Sequence, residues 1–209
     1  GRISGRSLGP VIADIRQALQ APGLLPRGMY FELGGLYKQQ QIAFQGLMAV
    51  FAAAVGLVFL LLLFLYESFR VAIAILAMPL VATSAVFIGL WATGIELNIS
   101  AMMGMTMIVG IVTEVAIFYF SEFRELAGER GLHEALIEAG KNRMRPIAMT
   151  TFAAILTLLP LAFAIGQGSA MQQPLAVAIV SGLLVQLPLV LVVMPALFRA
   201  LLGRRPALP

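Results

Sequence analysis

The sequence predicts an all-α membrane bundle of five transmembrane helices, preceded by a small α/β remnant at the N-terminus. Three observations carry this. The chain is 60% hydrophobic and 11% charged, with a mean hydropathy of +0.95, which is more apolar surface than a soluble domain of 209 residues can hide. Five apolar stretches, about 42–66, 71–94, 99–120, 146–166 and 174–201, are long enough to cross the bilayer, which takes about 20 helical residues for roughly 30 Å of hydrocarbon. The third stretch holds one acid, Glu114, and no other acid or base.

The first elements are of soluble character. The opening GRISGRSLG reads as the middle of a domain, and no signal peptide follows it, so the chain is expected to be the C-terminal fragment of a longer protein. A short strand at the very start, a helix from about Leu8 to Gln20 and a strand around Met29 to Leu33 make a βαβ-like piece. Val11, Ile12, Ile15 and Leu19 share one face of that helix, while Asp14 and Arg16 lie elsewhere. Ala21-Pro22-Gly23 stops it, and Gly34-Gly35 ends the strand. From Leu36 a helix is expected to run straight into the first span.

The spans are apolar on all sides, so periodicity does not say which face meets lipid. Pro79, Gly104, Gly110, Pro160, Gly182, Pro188 and Pro195 interrupt them. Bundled membrane helices tolerate such residues because neighbours satisfy the freed backbone groups. Between the third and fourth spans, residues 121–145 form an amphipathic connector. Phe123, Leu126, Leu132, Leu136 and Ile137 alternate with Glu122, Glu125, Glu129, Glu134 and Glu138. With Gly128 and Gly131 inside, a helix, a kink and a second helix at the membrane interface are expected; the other reading is a solvated connector. His133 reads as a surface histidine.

Basic residues set the orientation. Arg70 follows the first span, and the 121–145 connector carries Arg124, Arg130, Lys141, Arg143 and Arg145. The tail carries Arg199, Arg204 and Arg205, whereas the gaps near 94–98 and 166–173 have no Lys or Arg. The positive-inside rule then places the connector and the C-terminus in the cytoplasm and the N-terminal 40 or so residues outside. Arginine supplies 12 of the 14 basic residues, mostly in loops and tails, and no basic helix interleaved with aromatics suggests nucleic-acid binding.

Chemistry is confined to proton or ion handling. The chain has no cysteine, hence no disulfide or thiolate metal site. No nucleophile–base pair, HExxH, Walker A or glycine-rich phosphate loop supports a hydrolase or ATPase, so neither enzyme activity nor a cofactor is expected. Glu114 is the leading candidate, since a carboxylate at membrane depth costs a few kcal/mol at least and is usually turned toward protein or a water path. The alternative is a neutral Glu that only bonds a neighbour. Thr113 beside it, with Gly104, Thr106 and Gly110, makes this span small and polar on part of its surface. Thr150 and Thr151 open the fourth span after Pro146, where their hydroxyls either serve a path or merely back-bond to a carbonyl. Arg143 and Arg145 anchor the membrane edge by default. The run Met102-Met103-Gly104-Met105-Thr106-Met107 raises a Cu(I) site, against the ordinary use of Met as a gap-filler.

Several runs resemble the resistance-nodulation-division (RND) efflux permeases, AcrB/AcrD/AcrF-like. They are Leu65-Tyr66-Glu67-Ser68-Phe69, Met103-Gly104 with Gly110-Ile111-Val112, the RMRPIAMTT run from Arg143 to Thr151, and Leu159-Pro160 followed by Gly166 and Gly168. The resemblance covers nearly the whole chain. It implies that 1–36 end a periplasmic porter (pore) domain, 37–201 are the last five spans of the transmembrane domain, and 202–209 are a cytoplasmic tail. It also implies a multi-pass protein of the bacterial inner membrane, a homotrimer driven by protons and working with a periplasmic adaptor and an outer-membrane channel. Residue by residue, Glu114 stands where drug exporters usually carry a relay lysine. Thr150 matches the relay threonine, and Arg143 the arginine at the cytoplasmic mouth. The paired aspartates of that relay belong to the missing N-terminal half of the polypeptide.

An acid at 114 departs from the drug-exporter pattern, since carboxylates gathered together cannot all ionise and must hold a proton between them. Heavy-metal exporters of the family also carry an acid there. They often have a basic residue one position after the proline, where this chain has Ile147. Multidrug or organic-compound export is therefore ranked above metal export. A sister lipid transporter or protein-export accessory is a further alternative, and a non-transporting membrane scaffold is the rival from another class.

Overall fold

In a computed structural model, residues 8–19, 36–128 and 131–202 are described. The chain divides into two units, Gly1–Gln45 and Gly46–Pro209, and the division falls inside a helix. In the first unit, α1 (Leu8–Leu19) forms over the amphipathic segment where a helix was expected. The two strands expected near the start and around 29–33 lie outside the described residues. Among the described residues there is no strand, so the α/β character assigned to this end has no structural support.

α2 (Leu36–Tyr66) is one helix that begins in the polar segment and continues through the first apolar stretch. α3 (Phe69–Thr93), α4 (Ile99–Ala127), α5 (Leu132–Ala162) and α6 (Gln173–Pro188) supply the next spans. A π-helical turn, Leu189–Val193, joins α6 to α7 (Met194–Leu202). With that joint included, five helices are long and apolar enough to cross a membrane.

The expected helix, kink and second helix are present across the connector, but each is continuous with a span. Residues 121–145 do not form a separate interfacial element: α4 continues to Ala127 and α5 begins at Leu132 and runs through Pro146. The reason is packing. Phe120, Phe123, Ala135, Leu136 and Ala139 are buried, so the apolar side of this amphipathic stretch extends the bundle core. The buried Tyr119 hydroxyl donates to the Leu136 carbonyl at 2.7 Å and fixes α4 against the start of α5. His133 is exposed, as expected.

Local chemistry sets the turns. Glu67 lies between α2 and α3 with φ of 49°, a left-handed conformation that a residue with a Cβ adopts at a cost. Gly94 caps α3 with φ of 67° and returns its N–H to Leu90 and Trp91 carbonyls. Asn98 accepts from the Ala101 N–H at 2.9 Å and starts α4. Gly166 and Gly168, with φ of 112° and 81°, make the turn before the short 3₁₀ segment Ser169–Met171.

α6 is the central helix and packs against α3, α4 and α5. Close approach depends on small residues. A Cβ at Gly104 would lie 2.8 Å from Ala178 Cβ, and one at Gly182 would lie 2.7 Å from Ile108 Cδ1. At the arginine-rich end, Tyr66, Phe120, Phe123 and Phe198 gather from α2, α4 and α7. Ring centroids are 4.7 Å apart for Tyr66–Phe120 and 4.9 Å for Phe120–Phe198. At the other end, Ser100 Oγ donates to the Met171 carbonyl and Gln173 Nε2 to the Ala162 carbonyl.

Candidate functional site

Glu114 is placed by the turn of α4. Its neighbours Thr113 and Ala116 are buried, and Thr113 Oγ1 donates back to the Val109 carbonyl at 2.6 Å. Glu114 itself is exposed and faces a groove between α4 and α5. Its carboxylate has no hydrogen-bond or ion-pair partner among the described residues. The groove holds about 530 Å³ and is mostly apolar, with Met107, Ile111 and Phe118 from α4, Ile147, Ala154 and Leu158 from α5, and Ile179 and Leu183 from α6.

The polar groups on this surface include the three residues singled out by sequence. Glu114, Arg143 and Thr150 line the same groove. Thr150 Oγ1 donates to the Pro146 and Ile147 carbonyls, 3.1 Å to each, so the expected back-bond is present and the hydroxyl also borders the groove. Pro146 has no N–H, which leaves the Asn142 carbonyl, one turn before it, without its helical donor.

Arg143 is not a loose anchor. Its Nε and Nη2 donate to Glu122 Oε2 at 3.1 and 2.8 Å, and Asn142 Nδ2 donates to Glu122 Oε1 at 2.8 Å. The guanidinium carbon also stands 5.9 Å from the centre of the Phe118 ring. Glu122 thus orients the arginine at the end of the groove. Sequence reading placed Glu122 on a hydrophilic face with four other glutamates. The signal that separates it is its spacing: Glu114, Phe118 and Glu122 follow one another at four-residue steps along α4.

Two further polar residues border the groove, Thr151 and Gln186. Gln186 was missed because an uncharged side chain in an apolar run gives no charge signal. The methionine run does not converge. Met102 and Met105 are buried in the core, whereas Met103 and Met107 are exposed, and of the four only Met107 borders the groove. Among the described residues no group of three or more His, Cys, Asp or Glu is placed to hold a metal ion.

The model of the AcrB/AcrD/AcrF family matches residues 2–202. The chain belongs to this family of RND efflux permeases. Relatives within the family carry different cargo in their names. The cobalt-zinc-cadmium resistance protein CzcA of Cupriavidus metallidurans is 30% identical over 94% of this chain and 19% of its own length. The toluene efflux pump membrane transporter TtgB of Pseudomonas putida is 31% identical over 80% of this chain and 16% of its own. The crystal structure of a heavy metal efflux pump superposes with a TM-score of 0.83 at 30% identity, over 97% of this chain and 20% of that one. The chain therefore spans about a fifth of the length of the RND permeases it matches.

Proposed function

We propose that this chain is the C-terminal transmembrane part of a proton-driven RND exporter of organic compounds, with Glu114, Thr150 and Arg143 in its proton relay. One observation carries the reading. Glu114, singled out by its charge, borders one groove with Thr150 and Arg143, the two residues that the family resemblance assigns to the relay, and the acid has no partner within the described residues. A carboxylate in such a place is suited to taking up and releasing a proton. Glu122 holds Arg143 at the end of the groove, where the arginine meets protons arriving from the cytoplasm. The complete protein would sit in the inner membrane as a homotrimer, with a periplasmic adaptor and an outer-membrane channel as partners. The 121–145 segment and C-terminus would be cytoplasmic.

The test uses the full-length protein in proteoliposomes. Glu114→Gln keeps the shape and removes the proton, and is expected to leave assembly intact while abolishing or uncoupling export. Export at the wild-type rate, with unchanged dependence on the proton gradient, would reduce Glu114 to a structural residue and favour the scaffold. Reporters within 121–145 and at Gln167 are expected to label opposite sides of the membrane, the former cytoplasmic.

A second reading, export of metal cations, is favoured by the acid at 114 together with the likeness to the heavy metal pump. The first is favoured by Ile147, a buried apolar residue where metal exporters often carry a base. Vesicles loaded in parallel with divalent cations and with organic dyes distinguish them.

A further inference from the structure

Two oxygens beside the groove are buried without a partner. Thr151 Oγ1 and Gln186 Oε1 make no hydrogen bond, on side chains 2% and 1% exposed. Such groups are uncommon in folded proteins, and at membrane depth no surrounding water compensates for them. Other hydroxyls of the bundle avoid the problem by donating to a carbonyl of the preceding turn. Thr113, Thr157 and Ser181 all do so. Thr151 departs from this habit, whereas the adjacent Thr150 hydroxyl donates to the Pro146 and Ile147 carbonyls.

Thr151 and Gln186 come from different helices, α5 and α6, and both border the groove that holds Glu114. We propose that they form a water-binding site on the inner wall of the groove, and that its water extends the proton path from Glu114 toward α6. The chemistry is complementary. A water donates to the Gln186 amide oxygen and accepts from, or donates to, the Thr151 hydroxyl, which supplies the partners a buried water needs. Neither side chain is ionisable near neutral pH, so both are positioning residues. They hold the water while Glu114 takes up the proton. As a groove water gives a proton to the Glu114 carboxylate, its oxygen regains one from the next water in the chain.

This inference rests on the proton-relay reading, and the experiment separates the two. In the full-length transporter, Thr151→Val keeps shape and loses the hydroxyl, Gln186→Leu loses the amide, and Gln186→Glu restores an oxygen acceptor. Export would be measured against the imposed pH gradient, and radiolytic hydroxyl labelling at Ile179 and Leu183 would report water beside the site. Thr151→Val and Gln186→Leu are each expected to slow export about tenfold or more, the worth of roughly one hydrogen bond. Labelling should fall with them, and Gln186→Glu should recover much of both.

Wild-type export by Thr151→Val and Gln186→Leu, alongside a blocked Glu114→Gln, would overturn the water site and leave the relay standing. If Glu114→Gln is silent, the relay fails, and labelling alone decides the water site: labelling lost in the variants supports it, and labelling absent from the wild type overturns it. Should Gln186→Leu fail to assemble, the isosteric Thr151→Val carries the test.

Discussion

The apolar windows of α2 and of the α6–α7 span look alike in the sequence, rich in Leu, Val and Ala, yet 6% of the first is buried against 50% of the second. Apolar character does not drive helices together in lipid, because the tails are as apolar as leucine. Within the fifth of the permease length that this chain spans, the two differ in the placement of small residues. Gly104 meets Ala178, Gly182 meets Ile108 and Gly89 meets Ser181, so α6 lies close to both α3 and α4. α2 has glycines as well, but a Cβ at Gly46 or Gly56 would find nothing within 4 Å. The same residue type is a contact in one helix and open space in the other.

Glycine-to-alanine exchanges in the full-length protein, followed by thermal unfolding in detergent, probe this difference directly. Gly104→Ala is expected to cost most, about 1–3 kcal/mol, because the new methyl meets Ala178 Cβ and the Leu175 carbonyl and neither can swing away. Gly182→Ala follows, at about 1–2 kcal/mol, since Ile108 can give way in part. Tyr119→Phe removes a buried hydrogen bond between α4 and α5, for about 1 kcal/mol. Gly56→Ala is expected to lie within about 0.5 kcal/mol of wild type. A loss at Gly56 as large as that at Gly104 would break the comparison, and would mean that α2 packs on something outside this chain.

Hydropathy and length were enough to read the spans, because crossing a bilayer is a demand on composition alone. The ends of α4 and α5 were not readable. Glu122, Glu125, Glu134 and Glu138 look like one face of a surface helix, and nothing in that pattern tells that Phe123 and Leu136 close on the bundle. At the site, Glu114 stood out because charge is rare in such a segment, whereas Arg143 and Thr150, by themselves an edge anchor and a back-bonded hydroxyl, were singled out by the family resemblance. Glu122 was hidden among similar acids, and its ion pair with Arg143 depends on how α4 and α5 run past the membrane edge. Gln186 was hidden by its lack of charge. The shared groove is a property of helix packing, which hydropathy does not encode.

The π-helical turn has a consequence for how the last span keeps one side inward. Gln186, Val190, Met194 and Phe198 are all buried, at a constant step of four residues. In a regular α-helix each such step drifts by about 40°, so the last would stand about 120° round from the first. The wide turn at Leu189–Val193, where the Met194 N–H reaches back to the Leu189 carbonyl, absorbs the surplus residue. Pro195, which cannot donate to the carbonyl four residues back, holds it open. The turn is thus a phase corrector. Deleting one residue within 189–193 would leave a regular α-helix with Phe198 still facing Phe120 and Phe123, whereas closing the turn to α-helix with every residue kept would rotate Phe198 by about 100° away from them.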